Sequence, residues 1–197
     1  MGNLPLQQLS PRLWPRGDDE HTYALLDGAR DPRVHPFTAR APFASRCLYL
    51  GALSPALAAA SPYLIRVPRD NPASLALLEA AWGQSWGVFL RCTAPMGAVF
   101  GHFRRLLRVQ DERGRRLLFR FYDPRVLRPY LPTCRPEELD RVFGPVEAFV
   151  MEGEDASVLQ FRNARGALQR DEVRVEKHLP WLGRYLRESR GDEGGER

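Results

Sequence analysis

Short apolar runs broken by proline, glycine and charged residues fill the chain from His21 to Asn163, and their periods predict alternating strands and helices. TYALLDGA, ending at Asp27 and Gly28, reads as a strand that stops at a turn, and CLYLG (from Cys47), YLIRV (from Tyr63) and WGVFLRC (ending at Cys92) read as further strands. Between them, Ser54 followed by Pro55 starts a helical turn in SPALAAA. Asn71 followed by Pro72 starts the clearest helix, NPASLALLEAAWG, with Leu75, Leu78 and Trp82 at helical spacing and Gly83 as its stop. In APMGAVFGHFRRLLRV, a helical period puts Val99, Phe100, Phe103, Leu106 and Leu107 on one face and Arg104, Arg105 and Arg108 on the other. After the DERG turn, LLFRFY alternates as a strand that is apolar on both faces. The pattern predicts a central strand with Arg120 needing a partner, then Asp123 capping a turn begun by Pro124. Pro129 and Pro132 keep that turn short. RPEELDRVFGP is a helix with Glu137 and Arg141 spaced as an i,i+4 pair, and VEAFVMEG and SVLQFR form a late hairpin.

The expected architecture is a single α/β domain with a mixed β-sheet flanked by helices over residues 21–163. A proline-punctuated arm precedes it at 1–20, and a charged helical extension with a disordered tail follows at 164–197. With 197 residues, the chain can bury roughly 70% of its unfolded surface, so it needs no staple to fold. Its 44% apolar content argues against disorder. Three separated cysteines, Cys47, Cys92 and Cys134, fit a reducing compartment, and no apolar run approaches a membrane span. The start of the chain lacks a secretory signal pattern.

Net charge is +5, but the basic residues are almost all arginine, with Lys177 the one lysine, and the acidic residues are interleaved with them. No basic stripe with stacking aromatics accompanies the charge, so nucleic acid is not the expected partner. Phosphate loops, dinucleotide fingerprints, nucleophile elbows and zinc-spaced ligands are also missing, so neither cofactor nor metal is expected. Cys92 would be a nucleophile only with His102 or His35 folded against it, and a small buried hydrophobe explains it more simply. Asp27 and Asp123 close apolar strands, where α/β enzymes place catalytic carboxylates. A hydrolase or transferase centred on them is the alternative to a purely structural role in capping and ion pairing with Arg120 or Arg125. Trp14 and Trp181 are expected to be available to a partner. Asp31-Pro32-Arg33-Val34 and Asp123-Pro124-Arg125-Val126 repeat a tetrapeptide after apolar strands, which capping alone explains.

Taken in order, YALLDGA, APFASRCLYLG, SPYLIRV, WGVFLRC, HFRRLLRV, LLFRFYDPRVLRPYLP and VFGPVEAFVMEG resemble domain of unknown function 4123, from about Thr22 to Arg162. The family's members act as adaptor chaperones for type VI secretion effectors. The resemblance implies a cytoplasmic, bacterial, non-enzymatic protein encoded beside its client. Such a protein binds a secreted toxin effector and helps load it onto a VgrG or PAAR spike, with no nucleic-acid or membrane partner. It carries over Asp27, Arg120, Tyr122, Asp123, Pro124, Arg125 and the Phe143-Gly144-Pro145 turn, and no catalytic residue. The expected partner surface is bordered by Arg104, Arg105 and Arg108 on the helix, and by Arg120, Tyr122, Asp123, Arg125 and Arg128 around the Asp-Pro-Arg turn.

Overall fold

The computed structural model describes residues 4–14, 20–69, 71–110, 113–155 and 157–174. Its centre is a run of strands whose alternate residues are apolar on both sides, so both faces of the sheet must be covered. β1 (His21–Asp27) and β4 (Gly87–Cys92) lie at the middle, with every residue of β4 buried. β3 (Pro62–Arg66) and the three-residue β2 (Ser45–Cys47) extend the sheet on one side; β7 (Ala148–Glu152), β8 (Val158–Ala164) and β9 (Ala167–Val173) extend it on the other. The order is β2-β3-β1-β4-β7-β8-β9.

The α/β class and the helix-flanked sheet match expectation, but every pairing within the sheet is antiparallel, not mixed. The reason is a skipped position. β3 and β4 are joined through a helix and run parallel to each other, yet β1 sits between them and pairs antiparallel with both, Leu25 facing Leu64 on one side and Val88 on the other. The late strands form the hairpin read from the sequence, Phe149 opposite Phe161.

Leu25, Val88, Leu90, Phe149, Met151, Leu159 and Phe161 point to one face. There they meet α5 (Met96–Leu106), α6 (Pro124–Tyr130) and α7 (Pro136–Phe143). Ala24, Leu26, Ile65, Phe89, Val150 and Val158 point to the other and meet α1 (Leu4–Leu13), α2 (Val34–Arg40) and α4 (Pro72–Ala81). A short helix, α3 (Pro55–Ala59), lies outside the core with no buried residue.

Several local expectations hold at atomic detail. Ser54 Oγ accepts from the Leu57 N–H and Asn71 Oδ1 from the Ala73 N–H, each opening a helix with proline in its first turn. In α4 the buried stripe is Ser74, Leu77, Leu78 and Ala81, so Leu75 is turned outward. The i,i+4 position beside α7 is not used; the Arg135 N–H and guanidinium instead bind Glu138 at 2.8 and 3.2 Å.

Other expectations are corrected. Residues 117–122 are not a central strand. β6 (Arg116–Leu118) is fully exposed and pairs only with β5 (Arg108–Gln110) in a separate two-stranded hairpin. The chain then leaves the ladder, and Phe121 and Tyr122 are buried from a turn, not from a sheet. CLYLG supplies only Cys47 to a strand; Gly51 adopts φ +93° and ends the extended path. Within the N-terminal arm Leu4–Leu13 is helical, and Leu9, Leu13 and Trp14 are buried. Trp14 donates its Nε1–H to the Val67 carbonyl at 2.8 Å, so it belongs to the core and not to a partner surface. The segment read as a helical extension begins with β9, whose alternation was masked by charged residues on an edge strand. The amphipathic piece containing Trp181 and the expected disordered tail lie outside the described residues.

Candidate functional site

The residues carried by the Asp-Pro-Arg stretch converge on the end of β1. Asp27, the last residue of that strand, has 1% exposure, and its two oxygens are both committed: Oδ1 accepts from the Ala29 N–H at 3.0 Å and Oδ2 from Arg120 Nη2 at 2.6 Å. Arg120 also lies 3.4 Å from Asp123 Oδ2. Asp123 caps α6 by accepting from the Arg125 N–H at 3.0 Å. The Arg125 guanidinium then closes back on it as a fork, Nε to Oδ1 at 2.9 Å and Nη2 to Oδ2 at 2.7 Å. Burial alone would raise the Asp123 carboxyl, but the side-chain and backbone hydrogen bonds from Arg125 outweigh it and leave the group below its ordinary value. The hydrogen bond that it donates to Asp27 holds Arg120 above the usual guanidinium range despite its partial burial.

Tyr122 is buried beside this pair. Burial and then the neighbouring Tyr49 push its phenol well above the ordinary range, so it stays protonated. Rings run from it into the core: Tyr122 to Phe121, Phe121 stacked on Phe103 at 5.1 Å, and Phe103 against His102. At the end of that path lies Gly144, at φ +50°, where a Cβ would come within 2.2 Å of the His102 ring. Gly28, one residue past Asp27, is equally confined: a Cβ would sit 2.3 Å from the Ala59 carbonyl oxygen. The VFGP and DGA segments therefore both need glycine for close approach.

Arg128 lies at the other end of α6. It donates to the Glu152 carbonyl at 2.8 Å and approaches Glu154 at 3.6 Å, at the edge of an open polar cleft of about 440 Å³. Glu152 itself is buried and accepts from the Gly83 N–H and the Ser85 hydroxyl, both at 2.5 Å, so it ties the α4–β4 turn to β7.

Arg104 and Arg108 occupy a different surface. With Leu48, Tyr49, Leu50, Leu53, Leu57, Leu107 and Leu118 they line a groove of about 460 Å³ between α3, the end of α5 and β6. Leu50, Leu57 and Leu118 are 60%, 46% and 52% exposed, so the floor is open. Arg105 is exposed on the same helix but does not line the groove. The expected partner residues thus divide into two groups. Arg120, Tyr122, Asp123 and Arg125 form a locked frame with Arg128 at its margin; Arg104 and Arg108 border the groove. The exposed leucines of the groove were missed because CLYLG and LLFRFY read as buried strands, and an exposed apolar residue carries no periodic signal of its own.

The remaining candidates are accounted for by packing. Cys92 is fully buried, burial pushes its thiol up to about 11, and its Sγ–H points to the Ala94 carbonyl at 3.6 Å. His102, proposed as its partner, is hydrogen-bonded to the Val142 carbonyl at 3.0 Å instead. Among the described residues no group of three histidine, cysteine, aspartate or glutamate side chains is placed to hold a metal ion, and no helix is long and apolar enough to cross a membrane.

A three-layer α/β domain with an internally neutralised carboxylate–arginine frame and an open apolar groove is the class these features define. The family described as Domain of unknown function (DUF4123) matches residues 22–141, more than half of the chain, and the chain belongs to that family. No curated protein matches it. No solved structure does either.

Proposed function

We propose that this protein is a non-enzymatic, cytoplasmic bacterial adaptor chaperone that binds a type VI secretion toxin effector and assists its loading onto the VgrG or PAAR spike. The observation that supports the reading most is the fate of the family-like charged positions. Asp27, Arg120, Asp123 and Arg125 neutralise one another and have their oxygens occupied, which suits a scaffold better than an acid–base pair. The open chemistry lies elsewhere, on a surface of apolar and arginine side chains of the kind that protein interfaces use.

The test is co-expression with the toxin encoded by the adjacent gene. The adaptor reading expects the two to co-elute at physiological salt, and wild-type protein to show no turnover in hydrolase and transferase screens. Turnover abolished by Asp27→Asn or Asp123→Asn without loss of folding would establish the enzyme instead. Affinity for DNA or RNA in place of the toxin, collapsing between low and physiological salt, would mark a nucleic-acid binder.

A further inference from the structure

Eight of the described arginines are paired with a carboxylate inside the fold. Arg12, Arg33, Arg91, Arg120, Arg125, Arg128, Arg135 and Arg170 each have a carboxylate within 4 Å. Among those with no carboxylate partner in the described residues are Arg46, Arg104, Arg105 and Arg108. These four are not scattered. Arg104 and Arg108 line the apolar groove, Arg105 lies between them on the chain, and Arg46 and Arg104 both approach the ring of Phe100, with guanidinium carbons 4.5 and 5.9 Å from its centroid. No acidic side chain lines the groove. Positive charge without a carboxylate partner among the described residues and open aliphatic surface therefore coincide at this groove.

The exposed aliphatic surface is concentrated there too. Of the large apolar side chains exposed among the described residues, Leu50, Leu57 and Leu118 border this groove, contributed by three separate parts of the chain. Isolated exposed leucines need no explanation, but leucines from separate segments that meet in a concavity do. Nothing within the described fold covers them.

We propose that this groove is where the client docks, and that it takes an amphipathic segment of the toxin whose apolar side chains enter between Leu50, Leu57 and Leu118 while flanking aspartate or glutamate residues pair with Arg104 and Arg108. This deepens the adaptor reading and rests on it. Arginine suits the rim: its guanidinium stays charged and grips carboxylates through two parallel hydrogen bonds, while its stem continues the apolar wall. The locked frame of Asp27, Arg120, Asp123 and Arg125 takes no direct part in the contact.

The experiment measures binding of the co-expressed toxin, and of fluorescent peptides tiled across its sequence, to wild-type protein and three variants whose melting temperatures are checked first. The variants are Leu50→Glu/Leu118→Glu, Arg104→Glu/Arg108→Glu, and Leu75→Glu, the last on the exposed face of α4 across the sheet. The inference expects both groove variants to bind at least about tenfold more weakly and Leu75→Glu to bind as wild type does. It also expects the tightest peptide to be acidic, with reversal of its acidic residues to lysine restoring affinity for Arg104→Glu/Arg108→Glu. If glutamate in the groove lowers melting, Leu50→Ser/Leu118→Ser tests the same floor. Undiminished binding by folded groove variants, or a preferred peptide without acidic residues, overturns the groove while leaving the adaptor function standing. Failure of the wild-type protein to bind the toxin at all overturns both.

Discussion

At the scale of single residues the two members of the central ion pair are unequal, and the inequality can be measured. Asp27 is 1% exposed whereas the Arg120 side chain is 41% exposed. Removing Arg120 strands a buried carboxylate; removing Asp27 leaves a guanidinium that water can reach. Arg120→Ala is therefore expected to cost about 3–5 kcal/mol in chemical denaturation, and Asp27→Asn only about 1–2 kcal/mol. Equal costs would mean that the pair acts through something other than desolvation. His102 gives a second handle. Its ring is buried against Phe103 and Gly144, hydrogen-bonded to the Val142 carbonyl and repelled by the Arg105 charge. Burial foremost lowers its pKa below the usual 6.5. The folded state thus rejects a proton that the unfolded chain accepts, so this contribution to stability is complete above 6.5 and declines as pH falls from 6.5 toward the lower folded value. Denaturation midpoints of wild type and His102→Asn compared at pH 7.5 and 5.5 should converge on the acid side. At this scale the sequence was readable where partners are close: Asp123 as the cap of α6 follows from Asp-Pro. The sequence also offered Arg120 or Arg125 as ion-pair partners of the two aspartates, and the structure pairs Asp27 with Arg120, but no spacing rule across 93 positions could choose between them.

Among the elements, the two Asp-Pro-Arg-Val segments give the clearest case of local chemistry repeating itself. Arg33 folds onto Asp31 at 3.0 and 2.7 Å as Arg125 folds onto Asp123 at 2.9 and 2.7 Å, each at the start of a helix. The tetrapeptide makes its own fork in both places, but Asp123 is the buried N-cap of α6, whereas Asp31 is more exposed and α2 starts only at Val34, with side-chain exposure of 16% at Asp31 and 3% at Asp123. The LLFRFY stretch shows the opposite. Its apolar alternation suits a strand, yet β6 stops at Leu118 because Phe121 and Tyr122 are needed as plugs beneath the turn that presents Asp123. Apolar residues at successive positions report burial, not the backbone path that achieves it. Since all of β6 is exposed, replacing residues 109–117 by Asn-Gly, which suits a two-residue hairpin, should lower stability by less than about 1 kcal/mol. A larger loss in thermal melting would show that the hairpin braces the core.

For the whole molecule, the family match and the folded unit have different limits. The match ends at residue 141, but β7, β8 and β9 begin at Ala148 and supply Phe149, Met151, Leu159 and Phe161 to the core on one face of the sheet. A truncated chain ending at Arg141 leaves the β4 edge unpaired and that face uncovered. It is expected to lack a cooperative melting transition, whereas residues 4–174 retain one. The strands of this late region were legible as a hairpin from VEAFVMEG and SVLQFR, and its last strand was not, because Gln169, Arg170, Asp171 and Glu172 give β9 no apolar face to read. The sheet order was not legible either, since a helix between two strands suggests that they are neighbours, and here β1 separates them.

That separation also governs how the protein comes into being on the ribosome. β1 emerges first of all the strands, yet it is the one strand that needs a later partner on each side, residues 62–66 on one edge and 87–92 on the other. Until Cys92 has left the exit tunnel, the apolar segment Tyr23 to Leu26, fully buried in the finished fold, has a neighbour on one edge at most. Its other edge is open to any passing strand. The chain would thus itself need shelter during the first half of its own synthesis.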